Sequence, residues 1–205
     1  MALAPAYAAH RLAAGSAHTL EVYLDYACPF SARLWRTLRT QLPAALAAGS
    51  VAVVFRHQVQ PWHPVSALMH EASLAVERLC PHNFALFSDA LFEHQRRFFD
   101  EATVDLSRTD IYRRLADLAA SANAIDDRLA MLQLLDIQPA DDPAAAANAG
   151  NAVTADLKYH VRLARAHAIH VSPTVVFDGI REDGVSSSWT LEQWQAWLEP
   201  RFARE

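Results

Sequence analysis

Residues 19–31 of the chain are TLEVYLDYACPFS, and this stretch decides the fold class. Its first eight residues, Thr19 to Tyr26, are mostly apolar or aromatic, which predicts a short buried strand. Leucines and a tryptophan then recur at helical spacing and predict a helix from about Pro29 to Leu42. Proline is favoured in the first turn of a helix, where its missing N–H costs nothing. The stretch therefore predicts a strand followed by a helix, with the thiol of Cys28 at the helix N-terminus.

Further strands are predicted on both sides of a long helical region. The run SVAVVFR, from Ser50 to Arg56, predicts a second strand. Because one helix joins it to the first strand, we expect a βαβ unit with parallel strands. Thr174 to Phe177 predict another strand, and the turn dipeptide Asp178-Gly179 leads to a short partner strand at Ile180 and Arg181.

The middle of the chain is predicted to be helical almost throughout. The expected helices cover Val65 to Leu79, His82 to Phe98, Ser107 to Ala122, Ile125 to Leu135 and Pro143 to Ala168. Five helices are more than one crossover needs, so we interpret residues 65–148 mainly as an inserted helical subdomain. After the last strand, a capping box over Thr190 to Gln193 predicts a final helix to about Leu198.

Composition narrows the class of protein. The chain has 205 residues, of which 52% are hydrophobic and 20% charged, which suits a globular core domain with an insertion and excludes disorder. Its two cysteines exclude a fold built on disulfides. A net charge of −5 argues against a nucleic-acid partner, and no apolar run is long enough to span a membrane. Residues 1–15 lack the regions of a signal peptide, so we expect a cytoplasmic or other soluble intracellular protein.

Cys28 is the residue with the most informative position. The thiolate is the reactive form of cysteine, and the free N–H groups of a helix N-terminus favour it. The alternative is a small buried side chain, the usual role of a lone cysteine. The sequence Ser172-Pro173-Thr174 favours the reactive interpretation, because a proline at a strand start can lie in a tight functional turn with a cis peptide bond.

The order of these motifs resembles the DsbA-like branch of the thioredoxin superfamily. The resemblance rests on Cys28-Pro29-Phe30-Ser31 between strand and helix, on the helical insertion, and on VSPTVVFDG at 171–179, and it covers roughly residues 19–200. It implies a thioredoxin-like α/β fold, in which a central mixed sheet with flanking helices is interrupted by an all-helical insertion. It also implies a cis Pro173 and thiol–disulfide chemistry at Cys28.

The resemblance further implies a substrate site and a division of the chain. The backbone of Ser172 is expected to face Cys28 and to pair with an extended peptide, which would also contact Pro29, Phe30 and Pro173. The expected division is an N-terminal extension at 1–18, a thioredoxin-like domain at 19–64 and 149–205, and the helical insertion at 65–148.

Two positions depart from the family pattern. The family has C-x-x-C, whereas this chain has Ser31 in place of the resolving cysteine. A mixed disulfide on Cys28 would therefore need an outside thiol, and glutathione is the candidate co-substrate. Related proteins often place a buried acidic residue six positions before the nucleophile, where this chain has Val22. Asp25 lies close in sequence but is expected to point away from the Val22 face.

Other cysteine and histidine residues are weaker candidates. Cys80 would be a resolving partner if the insertion folded over Cys28, although a packed thiol is the simpler interpretation. His63 and His170 are candidates for lying near the thiol, although core or solvent-facing roles are more common. The spacing of the histidines at 57, 63, 70, 82 and 94 lacks a metal-binding motif, so we expect no metal site.

Three functions remain open at this point. The first is a thiol–disulfide oxidoreductase acting through Cys28 alone, with glutathione or a peptide disulfide as its partner and no tightly bound cofactor. The second is a glutathione transferase of the kappa or chromene-carboxylate isomerase type, whose members typically have serine where this chain has Cys28. The third is a binding protein of the same fold without turnover. The oligomeric state is left open.

Overall fold

The computed structural model describes residues 3–15, 17–41, 51–137 and 148–202. Within these ranges five strands form one sheet: β1 (Arg11–Ala13), β2 (His18–Leu24), β3 (Val51–His57), β4 (Thr174–Phe177) and β5 (Ile180–Arg181). Their order in space is β1, β3, β2, β4, β5. Strands β2 and β3 are parallel, as the βαβ pattern predicts, and the other neighbouring pairs are antiparallel.

The two central strands carry the core of the sheet. In their parallel register Val22 lies opposite Phe55, and both side chains are fully buried. All seven residues of β3 are buried, which shows that the sheet is covered on both faces. The turn after β4 has positive φ at Asp178 (48°) and Gly179 (83°), the backbone that a tight two-residue hairpin needs.

Eight α-helices are described around this sheet. They are α1 (Pro29–Thr40), α2 (Ser66–Leu79), α3 (Phe84–Glu93), α4 (Asp100–Thr103), α5 (Arg108–Ser121), α6 (Arg128–Leu135), α7 (Thr154–Ala166) and α8 (Leu191–Phe202). Helices α2 to α7 lie between β3 and β4 in the chain, where α2 contacts α3, α5, α6 and α7, and α7 packs on β3. The predicted α/β class with a helical insertion is confirmed. No helix of the described residues is both long and apolar enough to cross a bilayer.

Within the predicted N-terminal extension, residues 1–18, the described part packs on the sheet. Pro5–His10 form a 3-10 helix, β1 follows it and pairs with β3, and β2 already begins at His18. Tyr7 and His10 are buried. A Cβ at Gly15 would lie 2.1 Å from the carbonyl carbon of Val51, so the chain approaches β3 more closely than a larger residue would allow.

Several predicted helices have different limits. The single helix expected over His82 to Phe98 is wrong, because 3-10 turns at Pro81–Asn83 and Gln95–Phe98 flank α3. Of the helix expected over Pro143 to Ala168, the described part is non-helical at 148–153, where Gly150 has a φ of 81°, and is helical from Thr154. The predicted ends at Leu42, Ser50 and Pro143 lie outside the described residues.

Side-chain caps mark the starts of α5, α6 and α8. Ser107 accepts a hydrogen bond from the N–H of Asp110, as its position before α5 predicts. Asp127 accepts bonds from the N–H groups of Leu129 and Ala130, so α6 begins at Arg128, three residues later than expected. The capping box before α8 is formed, with the N–H of Thr190 donating to the side chain of Gln193 at 2.8 Å.

Candidate functional site

Cys28 lies between the end of β2 and the first turn of α1. It is the N-cap residue of α1 and has extended backbone angles. Its N–H donates to the carbonyl of Asp25 at 3.0 Å, and its carbonyl accepts from the N–H of Ala32 at 3.1 Å. Cys28 is 4% exposed, whereas the next two residues, Pro29 and Phe30, are exposed. The cysteine is thus held at the edge of the surface by backbone bonds on both sides.

Ser172 and Pro173 lie directly against this thiol. The Sγ of Cys28 donates to the carbonyl oxygen of Ser172 at 3.4 Å, and the Ser172–Pro173 peptide bond is cis. The antiparallel pairing of β2 with β4 aligns Tyr23 with Thr174, which brings the ends of the two strands together. The contact between residues 28 and 172 therefore follows from the sheet register.

Ser31 lies one helical turn after Cys28 and is fully buried. Its Oγ accepts a hydrogen bond of 3.2 Å from the N–H of Asp25. The hydroxyl thus closes the turn between β2 and α1 at the position of the second cysteine in a C-x-x-C pattern. A hydroxyl cannot form a disulfide, so the site contributes one sulfur.

Asp25 lies at the centre of a buried polar network, which the sequence did not indicate. One carboxylate oxygen accepts from the hydroxyl of Ser66 at 2.7 Å and from the N–H of Ala27 at 3.0 Å. The other lies 2.7 Å from Nδ1 of His63, and Nε2 of His70 lies 3.5 Å from the carboxylate. Burial alone raises the pKa of Asp25, but the bonds from His70, His63 and Ala27 together lower it below its usual value.

Gln95 connects the helical insertion to the turn that carries Cys28. Its side-chain amide donates to the carbonyl of Tyr26 at 2.9 Å and to the carbonyl of Cys28 at 3.3 Å. Gln95 is buried in the 3-10 turn after α3, where the predicted continuous helix breaks. The break therefore places an amide donor against two backbone acceptors of the site.

A pocket of about 360 Å³ opens beside the cysteine. Its lining includes Ala27 and Pro29 from the cysteine turn, His63 from the following loop, and Phe99 and Glu101 from the insertion. The pocket thus has both an apolar wall and an acidic edge next to the cysteine turn.

Phe30 presents a second apolar surface beside the turn. Its side chain is 55% exposed, with the guanidinium of Arg33 5.7 Å from the ring centre. Trp62 is 56% exposed and lines another depression together with His170. Trp189, Trp194 and Trp197 do pack against one another.

The remaining candidate residues from the sequence lie in different parts of the structure. Cys80 closes the C-terminal end of α2 and is partly exposed, and both cysteines are free thiols. Within the described residues, no hydrogen bond joins Cys80 to Cys28. His63 contacts Asp25, as described above, whereas His170 is exposed. Val22, at the position of the family's acidic residue, is fully buried in the apolar core.

A buried histidine cluster lies deeper in the protein. The rings of His10, His57 and His160 contact one another with ring centres 4.6 to 5.1 Å apart. Nδ1 of His57 lies 2.6 Å from Nδ1 of His70. Burial lowers the pKa of His10 to about 3 and that of His160 to about 2, and it also lowers that of His57. These histidines are therefore neutral. The sequence analysis missed the cluster because its members come from distant segments.

Comparisons with known proteins agree with this architecture. No family model matches the sequence, and no curated protein matches it. A solved structure from Pseudomonas syringae, whose description proposes a protein-disulfide isomerase, is 24% identical with a TM-score of 0.73 and covers 94% of this chain and 99% of its own. BdbD from Bacillus subtilis is 17% identical with a TM-score of 0.61, over 95% of this chain and 94% of its own.

A third neighbour is the thiol-disulfide exchange protein alpha-DsbA2 from Wolbachia pipientis. It is 15% identical with a TM-score of 0.60, over 92% of this chain and 85% of its own. The descriptions of two of these three structures name protein-disulfide isomerase and thiol-disulfide exchange. At these identities the likeness establishes the fold, a thioredoxin-like sheet with an inserted helical bundle.

Proposed function

We propose that this chain is a thiol–disulfide oxidoreductase that works through the single thiol of Cys28 and uses glutathione to complete its cycle. One observation carries the proposal, the 3.4 Å contact between the Sγ of Cys28 and the carbonyl of Ser172. The contact places the sulfur beside a backbone acceptor at the surface, next to the exposed Pro29 and Phe30. A cysteine that served only packing would not need this position at a helix N-terminus.

The reaction follows from having one sulfur at the site. In the first step the Cys28 thiolate attacks the glutathione sulfur of a mixed disulfide R–S–S–G. A Cys28–S–S–G bond forms, the S–S bond of R–S–S–G breaks, and R–S⁻ leaves and takes up a proton. In the second step the thiolate of another glutathione attacks the adduct, which releases oxidised glutathione and restores the Cys28 thiolate. Ser31 takes no part in bond exchange, because its hydroxyl cannot resolve the adduct.

The surroundings of Cys28 support a peptidic substrate. The carbonyl and N–H groups near Ser172 precede β4, where an extended peptide can add main-chain hydrogen bonds. Phe30 offers an apolar contact on one side, and the pocket with Ala27, His63 and Phe99 offers another. The names of several structural neighbours, including the thiol-disulfide exchange protein from Wolbachia pipientis, describe chemistry of the same kind.

The experiment measures glutathione-dependent reduction of a glutathionylated peptide, coupled to glutathione reductase and NADPH. We expect turnover by the wild type, a single glutathione adduct on Cys28 by mass spectrometry, and no turnover by Cys28→Ser. Cys80→Ser is the matched control and is expected to keep both the activity and the adduct. Reduction by Cys28→Ser at the wild-type rate would refute the proposal. Glutathione conjugation that survives in Cys28→Ser would identify a transferase instead.

A further inference from the structure

The buried histidine cluster lies outside the site that the proposed function uses. His10 ends the N-terminal 3-10 helix, His57 ends β3, and His160 lies in the middle of α7. Their side chains are 0 to 2% exposed. One ring nitrogen from each of the three lies within 4.8 Å of the other two. Three segments that are distant in sequence thus bring three nitrogen donors to one point in the core.

The hydrogen bonds of the cluster leave nitrogen atoms without partners. Nε2 of His57 and both ring nitrogens of His160 have no hydrogen-bond partner, although all three atoms are buried. Burying an imidazole nitrogen without a partner costs free energy, and most buried polar atoms avoid that cost. An occupant that accepts one lone pair from each imidazole would remove that part of the cost.

The outer contacts of His57 orient it for such an occupant. Its Nδ1 bonds to Nδ1 of His70 at 2.6 Å, and Nε2 of His70 lies 3.5 Å from the carboxylate of Asp25. If both contacts, His57 to His70 and His70 to Asp25, are hydrogen bonds that donate toward Asp25, then Nδ1 of His57 carries its proton. Nε2 of His57 then presents a lone pair to the cluster.

His10 contacts the carboxyl group of Glu77 directly. Its Nε2 lies 3.0 Å from a carboxylate oxygen of Glu77. Metal-binding histidines usually bond through their other ring nitrogen to a carboxyl group, a backbone carbonyl or water, which fixes the orientation of the ring.

We propose that His10, His57 and His160 form a buried site for a zinc ion. Imidazole nitrogen suits zinc, whereas magnesium and calcium need oxygen ligands. Zinc–nitrogen distances of about 2.1 Å in tetrahedral geometry place the nitrogens about 3.4 Å apart, so binding draws the three rings inward. The fourth position of the ion is left to a water molecule. The ion would join the N-terminal segment, β3 and α7 at one point.

The first test measures zinc in the purified protein and its effect on thermal unfolding. We expect about one zinc per chain by elemental analysis, and a lower midpoint after prolonged incubation with a chelator at raised temperature. Zinc chloride restores the midpoint, and magnesium chloride does not. In His160→Gln both the bound zinc and the zinc-dependent shift are lost. His82→Gln, which changes an exposed histidine outside the cluster, keeps both.

The outcomes that overturn the proposal are distinct. The proposal is wrong if the wild-type protein neither contains zinc nor takes it up. It is also wrong if His160→Gln retains zinc at the wild-type level. If His160→Gln does not fold, X-ray absorption of the zinc-loaded wild type decides the matter. A shell of imidazole nitrogens without sulfur is expected, and sulfur ligands from Cys28 or Cys80 would refute it. A water molecule alone among the rings in a crystal of zinc-treated protein would also refute it.

Discussion

Nδ1 of His63 lies 2.7 Å from a carboxylate oxygen of Asp25, and this contact links the surface pocket beside Cys28 to the buried polar network. The Asp25 side chain is fully buried, whereas that of His63 is 24% exposed. The carbonyl of Asp25 also accepts the N–H of Cys28. A change at residue 25 is therefore expected to affect both the stability of the fold and the geometry of the cysteine turn.

The first prediction concerns Asp25→Asn. The variant removes a buried negative charge that accepts bonds from Ser66, His63 and the N–H of Ala27, so we expect a loss of about 3 kcal/mol in the free energy of unfolding at pH 7. The pKa of Asp25 is lower in the folded protein than its unfolded value of about 3.9. The stabilisation by its charge is thus present above about pH 4 and is lost as the pH falls through the folded value.

Urea unfolding at a series of pH values measures this effect. The difference between the wild type and Asp25→Asn is expected to be largest near pH 7 and to shrink below pH 4. Asp136→Asn, at an exposed aspartate after α6, serves as the control and is expected to match the wild type. A difference that stays constant from pH 7 to pH 3 would contradict the assignment of the effect to the Asp25 charge.

The second prediction concerns Ser31→Cys. Residues 28 and 31 lie one helical turn apart at the start of α1, so the variant regains the C-x-x-C arrangement. We expect an internal disulfide between positions 28 and 31 under oxidising glutathione, and catalysis that no longer needs glutathione for resolution. Loss of the bond from the Asp25 N–H to the Ser31 hydroxyl is expected to cost about 1 kcal/mol of stability.

Alkylation followed by mass spectrometry identifies this disulfide, and reduction of insulin with dithiothreitol measures the new activity. Thr37→Cys, further along the same helix, is the control and should form no disulfide with Cys28. If Ser31→Cys folds but forms only glutathione mixed disulfides at Cys28, the absence of a cysteine at position 31 does not explain the need for an outside thiol.

The third prediction concerns the ion pair between Glu21 and Arg56. The side chains are each 1% exposed, and Nε of Arg56 lies 2.6 Å from the carboxylate. Arg56→Met alone leaves an uncompensated buried charge and is expected to destabilise the fold by about 3–5 kcal/mol. The double variant Glu21→Leu/Arg56→Met removes both charges and is expected to recover most of that loss.

Urea unfolding of both single variants and the double variant gives the coupling free energy of the pair. The exposed pair of Asp110 and Arg113 is the comparison, and Arg113→Ala is expected to cost less than about 1 kcal/mol. Additive losses at Glu21 and Arg56 would show that the two charges do not stabilise each other.

The sequence predicts the features that depend on local order. The strand before Cys28, Pro29 in the first helical turn and the Asp178-Gly179 hairpin all have short-range signals, and each is present in the structure. The rest of the architecture was expected because the order of the motifs resembles that of DsbA-like proteins, and not because of local signals. Boundaries differed where side chains such as Asp127 capped a helix at a later residue than periodicity suggested.

Features that depend on contacts between distant segments could not be predicted in the same way. Asp25 lies one residue beyond β2, so strand alternation does not determine its direction, and its partners come from the next loop and α2. Arg11–Ala13 have no distinctive β pattern and form a strand only because β3 offers an edge. His10 and His160 meet across 150 positions of sequence, and no spacing rule connects them.

The fourth prediction concerns Phe30→Ala. Because the Phe30 side chain is 55% exposed, its truncation removes little packing and is expected to change the free energy of unfolding by less than about 0.5 kcal/mol. If a peptide substrate buries part of this ring, the loss of apolar contact is expected to be about 1 kcal/mol, or about fivefold in kcat/KM.

Leu129→Ala removes a 66% exposed side chain from α6 and should leave kcat/KM unchanged. The coupled glutathione assay with a glutathionylated peptide measures both variants. Equal kcat/KM for Phe30→Ala and the wild type would remove Phe30 from the substrate site while leaving Cys28 as the nucleophile.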